Sequence, residues 1–251
     1  MKILPIIAVT AASLIMSVVV SSASTIAAPT LTAGTTWTVD DLATWQTSGN
    51  TMGGMSVTAK FSDNTVQTLI WGNGTGVTGN PFIDQGAWSL KTNPMAGNTY
   101  DYSTHWDLVN LTGKNITSVV LEGMTDPNGY GTVFDINDIT IQTPGSLYGR
   151  TVTSQDNNSA LNVSANYSNL VALEGSNVIN GVSQPWGDLY HTLTLTFSHS
   201  TGSLGFGNEI FSFSTDTDNV NSHDAVPEPA TMLLFGAGLA GLAGLRTRKR
   251  K

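Results

Sequence analysis

The chain has no cysteine, which excludes disulfides, thiolate metal centres and cysteine nucleophiles together. Charge is scarce as well: Asp, Glu, Lys and Arg make up 11% of the 251 residues, against 40% hydrophobic. Disordered tails are rich in charge and poor in large apolar side chains, so this composition provides for a packed core. Bases are nearly absent from the middle. Between Ser24 and Asp224 only Lys60, Lys91, Lys114 and Arg150 stand against seventeen acids, a net charge of −13, whereas the whole chain carries −8. Such a surface repels nucleic-acid phosphates, and no basic stripe elsewhere would bind them. Also missing are a Gly-x-Ser-x-Gly elbow, a His-Glu-x-x-His pair, a P-loop and a dinucleotide fingerprint. No stretch of the middle shows a helical period with caps.

The long apolar runs lie at the two ends. Met1-Lys2 precedes a stretch from Ile3 to Val20, followed by Ser21-Ser22-Ala23. One positive charge, an apolar core and small residues at the −3 and −1 positions predict a secretory signal peptide over residues 1–23. Cleavage is expected after Ala23, with Ile26-Ala27-Ala28 as a second site; an uncleaved anchor is the alternative. At the other end, Pro227-Glu228-Pro229 leads into Met232–Leu245, and Arg246, Arg248, Lys249, Arg250 and Lys251 close the chain. Those fourteen apolar residues rise about 21 Å as a helix, so they cross a membrane only where the bilayer thins or the flanking side chains snorkel. The terminal bases stay on the cytoplasmic side, leaving the Pro-Glu-Pro segment outside. Its prolines hold it extended and open to a protease.

The tripeptide, the short Gly/Leu/Ala span and the basic terminus, in that order over residues 226–251, resemble the PEP-CTERM protein-sorting signal of Gram-negative bacteria. The resemblance implies recognition of Pro227, Glu228 and Pro229 by a membrane-embedded exosortase. Residues Arg246, Arg248, Lys249, Arg250 and Lys251 would be the stop signal. The partners implied are the export machinery, signal peptidase and exosortase, with transient insertion in the inner membrane before delivery to the cell surface or extracellular matrix. A plain single-span anchor has a similar outline.

The middle, residues 30–224, is built from Thr, Ser, Asn and Gly around short apolar runs. Leu189-His191-Leu193-Leu195-Phe197 alternates with polar residues, as do Leu161-Val163-Ala165-Tyr167 and Val57-Ala59-Phe61, the period of half-buried strands. Further strands are expected at 65–71, 100–109, 116–121, 131–141 and 203–214, separated by turn clusters such as those at 71–76 and 126–129. The fold class predicted is all-β: an antiparallel β-sandwich of jelly-roll type, flanked by an N-terminal signal helix and a short C-terminal transmembrane helix.

Candidate chemistry is thin. His191 and His199 are about 26 Å apart along a strand and cannot share a metal. Carboxylate pairs such as Asp135 or Asp138 with Glu122 or Glu174 carry no motif, and no enzyme is expected. Asp216, Asp218 and Asn221 place oxygens at alternating positions that suit a hard cation such as Ca2+. The preferred reading of Asp216–Asp224 is nevertheless an acidic flexible linker, because the EF-hand glycine and glutamate are missing. Trp71 and Trp186 adjoin glycines at turns and are the candidates for stacking on sugars. The function expected is thus a secreted structural or matrix-associated protein. The alternative is a carbohydrate-binding module, Ca2+-assisted, that binds extracellular polysaccharide.

Overall fold

The structure, a computed structural model, describes residues 24–39, 41–44, 47–83, 85–123, 130–136, 149–155, 161–173, 178–179, 182–183, 189–199 and 205–221. The signal helix expected at 1–23, the sorting motif, the C-terminal span and Trp186 lie outside these residues. Among the described residues no helix is long and apolar enough to cross a membrane.

Alternation decides the architecture. The strands are β1 (Thr25–Ile26), β2 (Thr30–Thr32), β3 (Trp37–Val39), β4 (Asp41–Thr44), β5 (Ser56–Phe61) and β6 (Val66–Ile70). There follow β7 (Val77–Gly79), β8 (Trp88–Asn93), β9 (His105–Asn110), β10 (Ile116–Glu122), β11 (Tyr130–Asp135) and β12 (Thr153–Ser154). The last six are β13 (Leu161–Leu173), β14 (Val178–Ile179), β15 (Val182–Ser183), β16 (Leu189–His199), β17 (Ile210–Ser214) and β18 (Asp216–Asn221). In β16, Leu193, Leu195 and Phe197 are buried, whereas Thr196 between them is exposed. The same period runs through β13, whose Leu161, Val163, Ala165 and Tyr167 are buried opposite β16. Over these stretches the two strands give one face to a core and the other towards water.

The larger sheet is organised around β16. One edge of β16 pairs with β13; the other pairs first with β10 and then with β11. From β10 the sheet continues through β5 to β6, and from β11 through β18 to β4. A second, five-stranded sheet has the order β12-β17-β9-β8-β7. Nearly all pairings are antiparallel, as expected. The exceptions are β1, β2 and β3, which add to β13 in parallel one after another. A single apolar cluster takes residues from both sheets, among them Phe61, Leu121, Tyr167 and Phe197 from the larger and Trp88, Trp106, Phe211 and Phe213 from the smaller. Phe197 meets Phe211 edge-on with ring centroids 5.6 Å apart, which links the sheets directly.

Gly123 marks the point where β10 yields the edge of β16 to β11. Its N–H donates to the His191 carbonyl and its own carbonyl accepts from the Thr132 N–H, each at 2.9 Å. A Cβ at this position would lie 1.7 Å from the Thr132 carbonyl oxygen, a backbone atom unable to swing away. Gly123→Ala is therefore expected to cost about 1–3 kcal/mol or more. The check is the urea midpoint; an unchanged midpoint would mean that the junction yields.

The order of the strands corrects one expectation. Asp216–Asn221 is no flexible linker: β18 lies inside the larger sheet, between β11 and β4. Asp216, Thr217 and Asn219 find hydrogen-bond partners on other elements, which makes their burial compatible with their polarity. The fold also begins before the expected boundary at residue 30, since Thr25 and Ile26 pair with Asn162 and Val163.

Candidate functional site

Register brings three carboxylates together. Asp135, the last residue of β11, is paired with Asp216, the first of β18, and Asp218 lies two residues further along, opposite Val133. One carboxylate oxygen from each of the three lies within 4.8 Å of the others. Their exposures are 0% for Asp135, 2% for Asp216 and 1% for Asp218. A small second core formed by Val39, Val133, Val171, Leu173, Leu189 and Val220 adjoins the cluster through the β11, β16 and β18 pairings.

Hydrogen bonds hold Asp216 in place. Its Oδ1 accepts from the Thr99 hydroxyl at 3.0 Å and from the Thr217 N–H at 2.9 Å. The Arg150 backbone stitches the two strands together: its N–H donates to the Asp135 carbonyl at 3.0 Å, and its carbonyl accepts from the Asp216 N–H at 3.1 Å. The Arg150 guanidinium donates to the Tyr100 carbonyl and lies 3.9 Å from the Tyr102 ring centroid. Burial pushes the Asp216 carboxyl up to about 7 from the usual 3.8; the Thr99 and Thr217 hydrogen bonds and the Arg150 charge pull the other way, and Asp101 adds to the rise. Nearby, burial also raises Tyr167, whose hydroxyl accepts from the Val152 N–H at 2.9 Å and bonds with Thr215 Oγ1 at 2.9 Å.

Three ionised carboxylates this close and shielded from water repel one another and forgo hydration. The charge is offset by protons, by Arg150, or by a cation. Asp135, Asp216 and Asp218 are the residues that would hold a hard, oxygen-loving ion. Of the expected set, Asp216 and Asp218 are brought together, and Asp135 joins them from another strand. Asn221 pairs through its backbone with Tyr130 and Asp41. In the sequence Asp135 stood out as a member of carboxylate pairs without a motif; its partners depend on a pairing that no local pattern reveals.

The stacking role for Trp71 is overturned. The residue is 1% exposed, its indole N–H donates to the Gly49 carbonyl at 2.8 Å, and its ring lies 5.3 Å from that of Trp106. The neighbouring glycines serve the backbone instead, Gly74 and Gly76 adopting φ values of 76° and 67°. Among the described residues the exposed tryptophan is Trp37, and one of its faces is stacked 4.3 Å from the His191 ring. His199, at the end of β16, faces Glu209 at 3.8 Å. The two histidines stand apart on one strand, as the sequence spacing required.

Comparison with known proteins adds one finding. Residues 225–250 match the family model described as the PEP-CTERM protein-sorting motif. No curated protein and no solved structure matches the chain. The matched segment includes Pro227, Glu228 and Pro229, the apolar run and the basic residues through Arg250. It marks a chain for export to the cell envelope and targeting to exosortase.

Proposed function

We propose, from the premise of an exosortase-targeted exported chain, that the protein is a non-enzymatic β-sandwich of jelly-roll type with a structural role at the cell surface or in the extracellular matrix. The sorting motif at residues 225–250 carries this reading. The last described strand ends at Asn221, ahead of Pro227, so cutting at the motif leaves the sheets whole. At the other end, Ile26 packs against the main core and the Ala27 N–H donates to the Val163 carbonyl at 2.9 Å. Removal of a signal peptide after Ala23 keeps these contacts; cleavage after Ala28 would discard them.

The test is intact-mass measurement of the protein recovered from the cell surface. The expected mass corresponds to a chain that starts at Ser24 and ends near the Pro-Glu-Pro motif. Replacing both Pro227 and Pro229 by Ala is expected to leave longer protein in the inner membrane. Unchanged delivery and unchanged mass in that variant would reduce the tail to a simple anchor. A carbohydrate-binding module assisted by Ca2+ is the second reading, favoured by the three clustered carboxylates alone. Their burial suits a cation that braces the sheet better than one shared with a sugar. A glycan array read with and without Ca2+ separates the two, and binding in neither condition removes the second.

A further inference from the structure

The edges of the two sheets are not protected equally. Beside β13 the edge is lined by β1, β2 and β3 in turn. β4 carries Asp41. In the second sheet the edge strands are short, two residues for β12 and three for β7. Short strands, charges and covering segments are the ordinary means of keeping edges from pairing with another chain. β6 has none of them. It is five residues long, Val66-Gln67-Thr68-Leu69-Ile70, with no charge, proline or glycine, and among the described residues β5 is its one neighbour in the sheet.

The ladder shows which backbone groups β6 leaves over. Phe61 N–H donates to the Thr65 carbonyl at 2.9 Å and Trp71 N–H to the Met55 carbonyl at 2.8 Å, one at each end of the strand. Between them the register with β5 runs without a shift. Because hydrogen-bonded and non-hydrogen-bonded pairs alternate, Gln67 and Leu69 spend their N–H and C=O groups on β5, and Val66, Thr68 and Ile70 direct theirs outward. The side chains follow the same division. Gln67 Oε1 accepts from the Trp88 indole at 2.6 Å and Leu69 packs against the core. Val66 and Ile70 are 56% and 59% exposed, with Thr68 exposed between them.

We propose that β6 pairs antiparallel with β6 of a second copy of this chain, about a two-fold axis at Thr68, joining the larger sheets of two molecules into one. In that register Thr68 faces Thr68, and Val66 of each copy faces Ile70 of the other, so the outward backbone groups meet outward groups and the exposed apolar side chains cover each other. The strand is its own complement. It also puts no charge across the axis, although residues 24–224 carry −13. A strand of five residues spans only about 17 Å, so the interface is small and the association concentration-dependent. This goes beyond the proposed function and does not rest on the sorting motif.

The experiment is sedimentation analysis, from about 1 µM to about 1 mM, of protein recovered from cells that produce the full chain. Wild-type protein is expected to pass from monomer to dimer and no further. Thr68→Pro deletes an outward N–H while sparing the β5 ladder, and Ile70→Lys puts a charge on the bare edge. Both are expected to remain monomeric with unaltered far-ultraviolet circular dichroism. If the proline variant fails to fold, Ile70→Lys decides alone. A wild-type monomer throughout, or a dimer that persists in the folded variants, would overturn the proposal.

Discussion

Stability is expected to fall as pH rises from about 4 to about 7, against the usual trend for carboxylates. Asp216 has its carboxyl pushed up to about 7 by burial, from 3.8. Between those values the folded chain holds a proton that the unfolded chain has released, so raising the pH favours unfolding, at up to about 1.4 kcal/mol per pH unit. Below about 4 both states are protonated and the group contributes no slope. Above about 7 the loss is complete, amounting to a few kcal/mol. Asp216→Asn keeps the shape and removes the titration. Urea unfolding in EDTA across this range is expected to show a descending limb for wild type and a much flatter one for the variant. Equal slopes would mean that Asp216 does not titrate in the fold. Repeating the series with Ca2+ shows what neutralises the cluster. A gain in wild-type stability above pH 7 that Asp216→Asn lacks would put a cation at Asp135, Asp216 and Asp218. No gain would leave the neutralisation to protons and Arg150.

Trp106→Ala is expected to cost about 3–5 kcal/mol. Its ring lies against Trp71 at 5.3 Å and Phe213 at 5.9 Å, and its indole N–H donates to the Thr215 carbonyl at 3.3 Å. Truncation opens a cavity between the sheets and strands that buried carbonyl near the acidic cluster. For a domain of this size the melting temperature would drop by roughly 10 °C. Trp37→Ala gives the contrast. That residue is partly exposed and meets His191 on one face, so its cost is expected to be well below that of Trp106. Chemical denaturation of both variants is the measurement, and equal losses would contradict the division between core and surface drawn for these tryptophans.

Period-two alternation exposed β5, β6, β10, β13 and β16 in the sequence because each has one face in the apolar core and one in water. The same signal failed for β18. Asp216, Thr217, Asp218 and Asn219 are all buried, so the segment has no apolar face to alternate. Its partners Thr99 and Thr51 belong to distant parts of the chain. Without them a run of Asp, Thr and Asn reads as solvated linker, and the carboxylate cluster is invisible with it. β1, β2 and β3 were missed for a related reason: each is two or three residues long and is held by β13. Trp71 misled because the glycines beside it suggested an exposed turn, whereas the turn serves the backbone and the ring points inward. The sorting motif was legible, since a short linear signal needs no partner from elsewhere in the chain.

The place of β18 also sets an order of events. The expected signal peptide would lead the chain out by its amino end, yet the strand that joins β11 to β4 is the last one described, and only five residues lie between Asn221 and Pro227. Until that strand emerges, β4 lacks its one neighbour among the described strands and Asp135 has not met Asp216. With the amino end leading, the described sheet would be completed only as the sorting signal arrives, so exosortase would meet a fold that has just been closed.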